Sequence, residues 1–136
     1  RMSPVSQQKA LQVFAGTENS YRMAKKHGVK TVFGADILFD PGAASRQGSY
    51  LAMLARWMTP AEALTMATAN TGELLALSGF INPYPGKLGV VEEGALADLI
   101  LVDGNPLESL DLVADPDRNF KIIMKDGHIF KDALTR

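Results

Sequence analysis

The sequence predicts an α/β chain in which a helical first part gives way to a mostly β second part, and three observations carry that reading. Leu11, Val13, Phe14, Tyr21, Met23 and Ala24 recur at mostly helical spacings between Val5 and His27. Val29 to Phe33 is a short, β-rich apolar run that ends in Gly34-Ala35-Asp36. Beyond Phe80, Gly86, Gly89, Gly94, Gly104 and Gly127 punctuate short β-rich runs. The change of grammar falls near Asn82 to Pro85, which divides the chain into 1–80 and 81–136.

The first element is a helix over Val5–His27, with Gly16 as a candidate bend and Lys25 and Lys26 at the negative end of its dipole. Gly28 suits the position just past a helix terminus, where a left-handed conformation is needed. A buried strand over Val29–Phe33 is expected next. Asp40-Pro41-Gly42 makes the stretch from Ile37 to Ser45 a loop, and a second helix is expected from Arg46 to Trp57. Thr59-Pro60-Ala61-Glu62 then reads as a helix start: Thr59 caps, Pro60 fits the first turn, and Glu62 reaches back to complete a capping box. Asn70-Thr71-Gly72 offers a restart into Glu73–Leu77, with a stop near Gly79. In the second part, Leu99–Val102 and Lys121–Lys125 are the clearest strands. Asp126-Gly127 is a two-residue hairpin turn leading into His128–Lys131.

Charge and composition exclude several function classes. With 14 basic and 15 acidic residues the net charge is −1, so no one-signed field would attract nucleic acid or an anionic membrane. No uncharged apolar run approaches the roughly 18 residues of a membrane span, and no targeting segment is expected. The chain has no cysteine, which excludes disulfides and thiolate metal sites and fits a cytoplasmic protein. It opens at Arg1 and enters helix-like sequence almost at once, so the protein is expected to begin upstream.

Asp36 is the candidate for chemistry. A carboxylate immediately after a buried strand is well placed, because ligands gather at the carboxyl ends of strands in parallel α/β architectures. The alternative is that Asp36 caps or hydrogen-bonds the following loop, as Asp commonly does. His27 and His128 belong to no H-x-H or H-E-x-x-H pair; His27 is expected to complement a helix terminus and His128 to be solvated. Lys25-Lys26 reads as a solvated helix end, Glu92-Glu93 as a charged turn, and Met53, Met58 and Met66 as core filler. Arg46 or Gln47 could reach a substrate carboxylate, although solvation at a helix start is the simpler role. The sequence has no Walker loop, dinucleotide fingerprint or nucleophile elbow.

The run from Gly28 to Asp36, GVKTVFGAD, resembles the last barrel strand of the metal-dependent amidohydrolase superfamily, which delivers the final active-site Asp. Thr59 to Leu64 and Ala67 to Asn70 resemble the helix that closes that barrel. Gly86-Lys87-Leu88-Gly89, Glu93-Gly94 and Ala97-Asp98-Leu99 resemble the return into the family's small β-sandwich, and Lys125-Asp126-Gly127 its closing hairpin. Within the superfamily the chain is most similar to the imidazolonepropionase-like group that includes Xaa-Pro dipeptidases. The resemblance implies the last strand and helices of a TIM barrel in 1–80 and part of a composite β-sandwich in 81–136.

It also implies that Asp36 ligates a divalent metal, with zinc the expected ion, and takes the proton of a metal-activated water attacking a C–N bond in a dipeptide, amide or cyclic amide. The family's other ligands match nothing in this sequence, and Ala35 stands where Thr or Ser is commoner. The chain alone is therefore expected to be inactive and to associate with itself or with the remainder of a barrel. Two other readings stay open: a non-catalytic structural or oligomerisation module derived from that fold, and a relative that opens rings or deaminates.

Overall fold

A computed structural model describes residues 2–134. These fall into two compact units, one ending at Thr31 and one beginning at Val32. The first unit is built on α1 (Pro4–Lys26). Ser3 caps it by accepting the Ser6 N–H at 3.1 Å, and Pro4 occupies the first turn, where its missing N–H costs nothing. The helix runs through Gly16 without interruption and ends at His27. Gly28 follows at φ +61°, the left-handed conformation expected of a helix stop, and its N–H bonds the Lys25 carbonyl at 3.2 Å.

The second unit holds the remaining elements: α2 (Pro41–Ala44), α3 (Gln47–Ala52) continued by a 3₁₀ turn over Met53–Arg56, α4 (Pro60–Ala67), α5 (Ala69–Ala76), a 3₁₀ turn over Gly79–Ile81, β1 (Leu99–Val102), α6 (Asp111–Ala114), α7 (Pro116–Asn119), β2 (Phe120–Lys125) and β3 (His128–Asp132). The expected capping box is present: Glu62 N–H donates to Thr59 Oγ1 at 3.2 Å, and Thr59 N–H donates to Glu62 Oε2 at 2.7 Å. The strands form an antiparallel sheet in the order β1-β2-β3, with Ile100 opposite Ile123 and Lys125 opposite His128 across the Asp126-Gly127 turn.

The core draws on both sides of the 80/81 division. Leu54, Met58, Ala63 and Met66 are buried together with Ala43, Leu110 and Val113, and Ala63 has no exposed surface. Two close backbone approaches tie the pieces together. A Cβ on Gly48 would stand 1.9 Å from the Val113 carbonyl oxygen, so only glycine lets α3 lie against α6. A Cβ on Gly72 would stand 2.3 Å from the Leu88 carbonyl oxygen, so glycine also admits the 86–97 loop against α5.

The structure corrects four expectations. Val29–Phe33 forms no strand: no other strand among the described residues lies beside it, and a ladder cannot form without a partner. Its Phe33 N–H instead donates to the Met66 carbonyl at 3.2 Å. The loop over Ile37–Ser45 contains a helical turn, α2, because Asp40-Pro41 makes a cap followed by a suitable first residue. The β-rich second part contains α6 and α7, the latter capped by Asp115 through the Arg118 N–H at 3.2 Å. Met58 and Met66 are core residues, whereas Met53 is 54% exposed on the turn that ends α3.

Candidate functional site

The site is built from the segment between Phe33, bonded to Met66, and Ala43, buried in the core. Within it Asp36 is exposed and adopts φ +47°. A non-glycine residue in the left-handed region costs on the order of 1 kcal/mol, tolerated best by Asp and Asn, whose short side chains can bond locally. The Asp36 carboxylate makes no such bond with the described residues. Local turn work is done four residues later, where Asp40 Oδ1 accepts the Ala43 N–H at 2.9 Å and caps α2. Asp40 therefore fills the capping role that was the alternative reading of Asp36. The Asp-Pro pair at 40 and 41 was the sequence signal for that role.

The other candidates occupy ordinary structural positions. His27 is the C-cap of α1, and Lys25 and Lys26 stand in its last turn. His128 is exposed at the start of β3, with Nδ1 3.0 Å from the Asp126 carbonyl oxygen. Glu92 pairs with Lys87 at 2.6 Å, as a charged turn would. Arg46 is the exposed N-cap of α3.

A carboxylate with no internal partner suits a hard divalent cation, which takes oxygen ligands. Yet among the described residues no group of three or more His, Cys, Asp or Glu side chains could hold one. Among the described residues Asp36 therefore stands without the companions that a complete metal site would need.

The sequence and the α/β fold of the chain match those of a known protein family. The amidohydrolase family model matches residues 6–130, and the chain belongs to that family. An ochratoxinase of Aspergillus niger is 33% identical over 112 residues, which cover 82% of this chain and 22% of that protein. Among solved structures, an amidohydrolase superposes with a TM-score of 0.80 at 34% identity, over 98% of this chain and 30% of its own. A prolidase complexed with N-methylphosphonate-L-proline gives a TM-score of 0.78 at 31% identity, over 96% and 30%. The A. niger ochratoxinase structure gives 0.77 at 28% identity, over 97% and 28%. The chain thus spans less than a third of each of these proteins, and the resemblance read from the Gly28–Asp36 run and the motifs after it is borne out at the level of the family.

Proposed function

We propose that the chain forms part of a metal-dependent hydrolase that cleaves a C–N bond in a small amide, dipeptide or cyclic amide. Residues 1–80 contribute the closing strand and helices of a TIM barrel, with Val29–Phe33 becoming a strand once neighbouring strands bond to it. Residues 81–136 contribute to a composite β-sandwich. Family membership supports the reading, and so does a prolidase among the structural neighbours. The observation that carries it is Asp36, whose exposed carboxylate is held in a left-handed conformation and given no structural bond to make.

A divalent ion, zinc first, would supply a water acidic enough to attack at neutral pH. Asp36 provides one oxygen ligand, accepts a proton and passes it to the leaving nitrogen, which must be protonated before an amine can depart. The loop from Ile37 to Ser45 forms one wall of the site. The remaining ligands come from outside this chain, so the isolated chain is inactive and either self-associates or joins the rest of a barrel.

The test uses the full-length protein loaded with zinc and assayed on dipeptides and N-acyl amino acids. Asp36→Asn is expected to lower kcat by about a hundredfold to ten-thousandfold, the usual range for losing a positioned proton acceptor. Wild-type turnover in that variant, or robust turnover by residues 1–136 alone, defeats the proposal.

A further inference from the structure

Three residues beyond Asp36, the chain enters the left-handed region again. Phe39 has φ +58° and its side chain is fully exposed, at 102% of the reference surface. For a bulky residue that conformation is an outlier, and outliers of this kind gather at ligand clamps and active sites. Packing within the chain does not offset it, because the ring touches nothing that covers it and Leu38 beside it is also exposed. The segment is nevertheless anchored on both sides, by the Phe33–Met66 bond and by the Asp40 cap over buried Ala43. An aromatic ring is thus held outward on a pinned turn.

The spacing matters. Three residues of extended chain reach at most about 11 Å, so the Phe39 backbone lies within about 11 Å of Asp36, and a side chain of a small substrate at Asp36 can reach its ring. Ile37, Leu38 and Phe39 carry no charge, and the carboxylate of Asp40 is committed to α2. An anionic substrate side chain meeting this turn would lose water and face the carboxylates of Asp36 and Asp40, whereas an apolar one would bury surface against the ring.

We propose that Phe39 is a specificity-determining residue. Its ring forms an apolar wall against a large aliphatic or aromatic side chain of the dipeptide or N-acyl amino acid whose C–N bond lies at Asp36. This inference rests on the reading of Asp36 given above. It adds a substrate class, apolar rather than anionic, and the residue that selects it.

The experiment takes the full-length zinc enzyme through a substrate panel differing only in one side chain: glycine, leucine, phenylalanine and glutamate. Phe39→Ala is expected to lower kcat/KM about tenfold to a hundredfold for leucine and phenylalanine, mainly through KM, and to leave glycine within about twofold. An equal loss across the panel, or failure of the variant to fold, marks a packing role and overturns the proposal. Phe39→Gly relieves the backbone strain while removing the ring, so it should give the same side-chain-dependent loss; unchanged preference in that variant also overturns it. Failure of the catalytic reading looks different, since the wild-type enzyme would then hydrolyse no member of the panel, and this inference would fall with it.

Discussion

The Asp98 carboxylate accepts the backbone N–H of Asp126 at 2.7 Å, joining the start of β1 to the hairpin turn between β2 and β3. Asp126 and Gly127 both have positive φ, 48° and 75°, which is the two-residue turn whose twist matches the strands. Gly127 N–H adds a bond to the Ala97 carbonyl at 3.1 Å. Asp98 thus ends one strand's approach and fixes the next two in register. Asp98→Ala is expected to destabilise the chain by about 1 kcal/mol, the usual net worth of a hydrogen bond, here made at an exposed site. Asp98→Asn should recover much of it, since an amide oxygen still accepts. Urea unfolding of the three proteins checks the order.

The contact of α3 with α6 predicts a larger effect at Gly48. A methyl group there would meet the Val113 carbonyl oxygen at 1.9 Å, and backbone cannot swing aside as a flexible side chain would. Gly48→Ala is expected to cost about 3 kcal/mol, the upper part of the range for overpacking, although alanine is intrinsically the better helix former. A thermal midpoint equal to that of the wild type would show that α3 and α6 do not pack as described.

Local and tertiary information were not equally legible in the sequence. The Thr59 capping box, the Gly28 stop and the Asp126-Gly127 hairpin could be read because each depends on a few adjacent residues with special conformational or bonding properties. Val29–Phe33 forms no strand in this chain because apolar β-rich composition prepares a strand without supplying the neighbour it must bond. Helical spacing across Arg46–Trp57 does not place Met53, which is exposed where α3 gives way to the 3₁₀ turn over Met53–Arg56. The placement of Leu110 and Val113 in the helical core could not be anticipated, since α6 is a single turn with too few residues to show a period. At the site, the motif pointed to Asp36, but the division of labour between Asp36 and Asp40 appears only in the hydrogen bonds.

The capping box offers a smaller, separable test. Thr59 and Glu62 satisfy each other's backbone donors at the start of α4, whose Ala63 and Met66 lie in the core. Thr59→Ala is expected to cost about 1 kcal/mol, and Glu62→Ala less, because Thr59 would still cap. The double variant should lose little beyond Thr59→Ala alone if the pair works as a unit. A double-mutant cycle by calorimetry measures the coupling directly.

Asp36 and Asp40 make the sharpest comparison, because two acids four residues apart are assigned opposite roles. Asp40 bonds Ala43 and starts a helical turn, so Asp40→Ala should lower stability by about 1 kcal/mol. Asp36 is exposed and makes no structural bond, and asparagine tolerates its left-handed backbone as well as aspartate does. Asp36→Asn should therefore leave stability within about 0.5 kcal/mol of the wild type, as an exposed substitution without partners does. In the full-length protein the same change should abolish most turnover. A residue kept for stability would show the reverse pattern: a lowered unfolding midpoint in Asp36→Asn, together with unimpaired activity, would return Asp36 to the role of an ordinary loop acid.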